Sequence, residues 1–141
     1  MRSTSADHEL ATRLRLALAR SARRLRREAG TDLSPSLTSA LATIERHGPL
    51  TPSELATREQ VQRPTVTRIA LRLEEAELVT RAADPADGRS SLITVTPAGR
   101  ALLASARTRK DAFLSERLDA LGPEDRATLE RAAALLEGML E

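Results

Sequence analysis

The chain has 141 residues, enough for one domain that buries its own core, and its 40% hydrophobic and 30% charged content is ordinary for a soluble globular protein. It contains no cysteine, which excludes disulfides, thiolate metal sites and thiol redox sensing, and no apolar run approaches the roughly 18 residues of a membrane span. Net charge is +2, from 22 basic and 20 acidic residues, so bulk charge alone does not call for a nucleic-acid partner.

The opening Met1-Arg2-Ser3-Thr4-Ser5 lacks the apolar stretch of a secretory signal, so a cytoplasmic location is expected. A long helix is predicted from about Asp7 to Glu28, where Leu10, Leu14, Ala17, Leu18, Ser21 and Leu25 keep helical spacing. Basic charge is concentrated here: residues 1–30 hold eight arginines against Asp7, Glu9 and Glu28. All basic residues except Lys110 are arginine. Arginine suits bidentate contact to phosphate and guanine, although a GC-rich coding bias gives the same composition. Arg20, Arg23, Arg24, Arg26 and Arg27 read best as a solvated face pairing with acids of a partner, over a backbone track or an anion site.

Ala29-Gly30 ends that helix, and Ser34-Pro35 caps a second one carrying Leu37, Leu41 and Ile44, stopped near His47-Gly48-Pro49. The third helix has the strongest start signal. Thr51 is the N-cap, Pro52 the first helical residue and Glu54 the partner of a capping box, while Leu50 and Leu55 hold the positions of a hydrophobic staple. Gln60-Val61-Gln62 makes a turn into a fourth helix, from about Arg63 to Glu75.

This fourth helix has two faces. Val66, Ile69, Ala70 and Leu73 form a stripe for burial. Thr65, Arg68 and Arg72 lie on the other side with Pro64 at the entrance, and Leu71 points toward the polar face without an obvious partner. Strands are predicted at Leu78–Ala82 and Leu92–Thr96, joined by the turn residues Pro85, Asp87 and Gly88 with Arg89 near the tip. Thr96-Pro97 caps a fifth helix with Leu102, Leu103, Ala106, Phe113, Leu114, Leu118 and Leu121. Gly122-Pro123 breaks it, and a sixth carries Leu129, Ala132, Ala133, Leu136 and Leu140.

The fold class expected is therefore mainly α with a small β-hairpin wing: a winged helix-turn-helix flanked by N- and C-terminal dimerisation helices. A helix-turn-helix followed by a basic hairpin is suited to reading duplex DNA. Phe113 is the single aromatic residue, which disfavours single-strand binding by base stacking. The apolar terminal helices have more use in pairing two copies than in completing a monomer core, so a homodimer is expected.

The chain resembles the MarR family of winged helix-turn-helix transcriptional regulators from about Asp7 to Leu140. The resemblance is carried by Arg63-Pro64-Thr65-Val66-Thr67-Arg68-Ile69, Leu73-Glu74-Glu75-Ala76-Glu77-Leu78-Val79-Thr80-Arg81, the wing Asp84-Pro85-Ala86-Asp87-Gly88-Arg89-Ser90, and Val95-Thr96-Pro97-Ala98-Gly99. It implies a single domain over 1–141, with a DNA-binding lobe at 34–97 and dimerisation helices at 7–29 and 98–140. It also implies a homodimeric repressor on a pseudo-palindromic operator, released by a small molecule. Thr65, Thr67, Arg68 and Arg72 would face the major groove, and Arg89 the minor groove with Asp87 positioning it. Arg81 and Ser90, in the same motifs, join this set. Ser36, Thr38 and Ser53 at helix starts are candidate phosphate donors, with local capping an equal explanation for Ser53.

Two positions depart from the family pattern. Glu77 replaces a common glycine after the reading helix, and Gly88 stands where a second wing arginine is frequent. An effector pocket is expected near the junction of the first, second and fifth helices, lined by Leu, Ala, Ile and Phe113, with arginines that would admit a small hydrophobic or anionic ligand. His8 and His47 lie too far apart in sequence for a convincing zinc site, and no cofactor is expected. No phosphate loop, metalloprotease pairing or nucleophile elbow appears, so the chain is not read as an enzyme. The competing readings are a winged-helix protein-interaction module with weak non-specific DNA binding, and an architectural DNA protein, which the balanced charge disfavours.

Overall fold

The computed structural model describes residues 4–141, so the first three residues of the opening segment lie outside the described residues. Six helices and one hairpin follow in the order α1 (Ser5–Glu28), α2 (Pro35–His47), α3 (Pro52–Glu59), α4 (Arg63–Glu75), β1 (Val79–Ala83), β2 (Ser91–Val95), α5 (Pro97–Asp119) and α6 (Pro123–Met139). Mainly helical architecture with a single antiparallel hairpin is what the periodicity predicts. No described helix is long and apolar enough to cross a membrane.

Side-chain caps fix most of the helix starts. Ser34, Thr51 and Thr96 each accept the backbone N–H of the third helical residue, from Leu37, Glu54 and Gly99. The reciprocal capping box expected at α3 is not made there. The Glu54 carboxylate accepts instead from the Thr51 hydroxyl, at 3.0 Å. A full box closes at α1, where Thr4 and Asp7 exchange backbone N–H groups at 3.1 and 3.3 Å; its acid is an aspartate rather than the Glu or Gln of the usual signature.

The core lies between α2, α3, α4, the hairpin and the first turns of α5. Leu41, Ile44, Leu50, Leu55, Val66, Leu73, Val79 and Ile93 are fully buried there, so both members of the α3 staple reach it. Val79 pairs with Val95 and Ala83 with Ser91, one residue displaced from the predicted strands. The displacement has a local cause at each edge, since Leu78 closes the end of α4 and Thr96 is already the α5 cap. Leu50 adds a strand-like bridge that periodicity could not reveal, exchanging both backbone hydrogen bonds with Ile93 at 3.1 and 2.7 Å.

The end of α4 shows what the missing glycine entails. Glu77 takes φ +60°, and the Glu77 and Leu78 N–H groups return to the carbonyls of Glu74 and Leu73, each at 2.9 Å. This is a Schellman closure with a non-glycine residue in the left-handed position. Glu77→Gly is accordingly expected to stabilise the fold by about 0.5–1 kcal/mol, the left-handed strain outweighing the added chain entropy. A Tm rise of about 2–4 °C in a melting experiment would match; a fall would show that the Glu77 side chain carries a stabilising contact.

Outside this lobe the chain is open. No residue of α1 or α6 is buried, and α5 buries only Gly99, Leu103 and Ala106 near its start. Leu10, Leu18, Leu114, Leu129, Leu135 and Met139 remain exposed, so α1 and α6 do not complete a core within one chain.

Candidate nucleic-acid interface

The two faces of α4 separate as its sequence demands. Val66, Ile69, Ala70 and Leu73 are buried, while Pro64, Thr67, Arg68, Leu71 and Arg72 are exposed. Thr65, Arg68 and Arg72 border a shallow groove of about 190 Å³ together with Ser34 and Ser36 from the start of α2. Four ion pairs occur among the described residues, and none involves Arg68, Arg72 or Arg89. Their guanidinium donors are thus not spent on an acid of the same chain, which leaves them for an anionic surface. Ser36, exposed in the first turn of α2, sits where backbone N–H groups favour a phosphate.

The wing is built by its aspartates. Asp84 Oδ1 accepts the Ala86 N–H at 2.9 Å, and Asp87 Oδ1 accepts the Arg89 N–H at 3.1 Å, two Asx turns in succession. Ser90 closes the tip through its backbone, its N–H on the Asp87 carbonyl and its carbonyl on the Asp84 N–H, both at 3.0 Å. Asp87 therefore sets the backbone of Arg89 and leaves its guanidinium without an ion-pair partner. Around Gly88 an added Cβ would meet nothing within 4 Å. Gly88→Arg is expected to fold normally and to raise affinity for duplex DNA several-fold at low salt. The slope of log affinity against log salt should steepen by about 1 per added phosphate contact. A salt titration with no change of slope would show that this side of the wing does not approach the backbone.

Other sequence candidates have partners within the chain. Thr67 donates its hydroxyl to the Arg63 carbonyl at 3.1 Å, so its proton is used inside α4. Ser53 Oγ accepts from the Arg63 guanidinium. Arg63 was read only as a helix start; its exposed position at the head of α4, beside the first turn of α3, puts it on the same side of the lobe as Ser53. Arg81 Nε lies 3.2 Å from Glu74 Oε2, which ties β1 to the last turn of α4. Thr38 lies on the opposite side of α2 from Ser36, as a two-residue step on a helix requires, and donates its hydroxyl to Ser34.

Thr38 instead borders a cavity of about 640 Å³ between the end of α1, the start of α2 and Lys110 of α5. This is the junction at which a pocket was expected, but its lining differs. Arg23, Arg26, Arg27 and Lys110 supply four cations against the single acid Asp32, and Ala29, Leu33 and Pro35 supply the apolar part. Phe113 is not on it. Its ring is covered by Arg117 at 3.7 Å and by Arg24 at 4.9 Å. Arg23, Arg26 and Arg27 remain exposed, as a solvated face requires, and also border this cavity, while Arg24 stacks on Phe113 and pairs with Glu28 at 2.8 Å.

A family model described as MarR family matches residues 33–91, from the start of α2 to the beginning of β2. Over 136 residues the chain is 38% identical to the uncharacterised HTH-type transcriptional regulator Mb0904 of Mycobacterium bovis, covering 96% of this chain and 95% of that one. The chain belongs to the MarR family. Like its relatives it is a DNA-binding transcriptional regulator. A solved Pseudomonas aeruginosa structure, described as a transcriptional regulator protein, is similar with TM-score 0.89 and 33% identity over 99% of both chains. The fold is shared also with a mutant of Staphylococcus aureus MepR solved bound to an oligodeoxyribonucleotide, at TM-score 0.74 and 19% identity, covering 94% of this chain and 98% of that one.

Proposed function

We propose that the protein is a homodimeric, sequence-specific repressor that holds a pseudo-palindromic operator and releases it when a small anionic ligand occupies the arginine-lined cavity. The observation that carries the DNA reading is the groove between α2 and α4, where Arg68 and Arg72 have no acidic partner and Ser36 lies opposite. Thr65, Arg68 and Arg72 read the major groove with Pro64 and Thr67 beside them. Arg89 enters the minor groove, where narrow A·T-rich stretches concentrate negative potential, and Ser36 and Ser53 meet phosphates. The exposed apolar residues of α1, α5 and α6 support pairing with a second copy, which would give the duplex two reading helices.

The ligand reading rests on charge. Four cations and one acid around about 640 Å³ favour a carboxylate or similar anion with an apolar body to cover Leu33 and Pro35. Pro35 and Thr38 border this cavity, while Ser36 and Leu37 of the same turn border the DNA groove. A ligand that shifts the first turn of α2 therefore changes the spacing between Ser36 and the arginines of α4.

The test is fluorescence-anisotropy binding to DNA from the gene's own upstream region, against scrambled duplex of equal length, across a salt series. Tight binding to one pseudo-palindrome at physiological salt, reversed by millimolar benzoate or a related small carboxylate, is the expected result. Equal, weak and strongly salt-sensitive binding to both duplexes would favour a protein-interaction module that has lost operator choice.

A further inference from the structure

Eleven large hydrophobic side chains are prominently exposed among the described residues. Nine belong to the terminal helices or the residues bordering them: Leu10, Leu16 and Leu18 at one end, and Leu114, Leu121, Leu129, Leu135, Met139 and Leu140 at the other. Pairing of two chains accounts for these. Val61 sits at the turn between α3 and α4. Leu71 alone lies on a helix of the reading lobe, and it is 47% exposed on the outward face of α4.

Its position on the helix is specific. With the buried stripe at Val66, Ile69, Ala70 and Leu73, a period of 3.6 residues places Leu71 nearly opposite the core, between Thr67 one turn before and Arg72 beside it. Arg68 is three residues back on the same surface, so the two are neighbours. Leaving about half of a leucine exposed here costs solvation in the free protein. In a major groove the one apolar group displayed by the bases is the 5-methyl of thymine.

We propose that Leu71 is a specificity-determining residue that reads the 5-methyl group of a thymine in each operator half-site. The assignment rests on the proposal that this face of α4 enters the major groove. Leu71 supplies apolar contact while Arg68 and Arg72 supply the directional hydrogen bonds. A cytosine at the same position presents a hydrogen at C5 and an amino donor, neither of which a leucine satisfies, so the preference is for thymine over cytosine. The proton of Thr67 is bonded to the Arg63 carbonyl, so the hydroxyl has no donor left to compete for that base.

The experiment begins with selection of operator duplexes from a randomised library by the full-length wild-type protein. Each thymine of the selected half-site is then replaced singly by deoxyuridine, which removes the methyl and nothing else. At one thymine per half-site, deoxyuridine is expected to weaken binding about fourfold, the effect of exposing one methyl-sized apolar group. Leu71→Ala, which alters both half-sites of the proposed dimer, should lose about sixteenfold on the thymine operator, and deoxyuridine at the same thymine should cost the variant nothing further. Insensitivity of the wild-type protein at every thymine would overturn the assignment, and this arm does not depend on any variant folding. An undiminished deoxyuridine penalty in Leu71→Ala would overturn it too, by giving the methyl to another side chain. Failure to enrich any sequence would remove base reading by α4 altogether, a result distinct from enrichment without methyl sensitivity.

Discussion

Arg68→Ala is expected to lower operator affinity about a hundredfold in the dimer and to blur base preference, while Arg89→Ala weakens binding more evenly across sequences. The difference follows from where each guanidinium sits. Arg68 is on the outward face of α4, beside Thr65 and Arg72, with no acid of the same chain to hold it. A base contact of this kind is worth about 1–3 kcal/mol, and a two-fold dimer loses it twice. Arg89 sits at the wing tip, its backbone fixed by Asp87 Oδ1 at 3.1 Å and its guanidinium without an ion-pair partner. Its loss removes one positive charge near the DNA per chain, so the slope of log affinity against log salt should become shallower by about 2 for the dimer. Anisotropy titrations at four salt concentrations, on the operator and on single-base variants, separate the two effects. If neither substitution changes operator affinity, the α4 and wing assignments both fall.

The contrast depends on the ion-pair pattern as much as on position. Arg81 is also an arginine of the hairpin, but its Nε lies 3.2 Å from Glu74 and its side chain is about one-quarter exposed. A phosphate would have to draw it from that carboxylate, so Arg81 is expected to contribute less per charge than Arg89. Surface pairs of this kind contribute little to stability, and the Arg81–Glu74 pair is better understood as fixing the angle of β1 against α4.

The parts of the lobe that were legible in the sequence are those whose signals act within one turn or one strand. Thr51, Pro52, Leu50 and Leu55 mark the start of α3 together, and the structure uses all four. The two faces of α4 follow from its period alone. Glu77 was legible only as a departure; that it accepts a left-handed backbone depends on the hydrogen bonds from Glu77 and Leu78 back to α4. The Leu50–Ile93 bridge joins residues 43 positions apart and has no periodic signature. The cavity was hardest to read. Arg23, Arg26 and Arg27 are exposed on α1 as a solvated helix face would be, and only the α1–α2 loop and Lys110 make that face one wall of a cavity, which is a property of three elements at once. Ser36 and Thr38, grouped together as helix-start hydroxyls, part to opposite sides of α2 because two residues turn a helix by more than half a circle.

Gly99→Ala is expected to destabilise the protein by about 3 kcal/mol, although alanine is the better helix former by about 1 kcal/mol. Gly99 is buried in the first turn of α5, and a Cβ there would stand 2.4 Å from the Leu78 carbonyl oxygen and 2.8 Å from Val95 Cγ2. The valine can rotate, but the carbonyl cannot readily withdraw. Leu78 O accepts the Thr96 N–H at 3.0 Å, Leu78 N–H is bonded to Leu73 O, and the Thr96 hydroxyl donates to the Glu77 carbonyl at 2.7 Å while accepting the Gly99 N–H at 3.0 Å. These bonds join the end of α4, the base of the wing and the start of α5 at one point. Relief of the clash must therefore tilt α5 away from the hairpin, and α5 connects the reading lobe to the helices left exposed for pairing. A Tm lower by roughly 10 °C is the expected reading in a melting experiment. Operator affinity should also fall beyond what the unfolded fraction explains, because the spacing of the two lobes in the proposed dimer would change. Gly88→Ala is the matched control, since its Cβ meets nothing within 4 Å; it should leave stability within about 0.5 kcal/mol of the parent. Equal melting temperatures for the two variants would show that α5 is free to move against the wing, and the lobe and the terminal helices would then have to be treated as loosely joined.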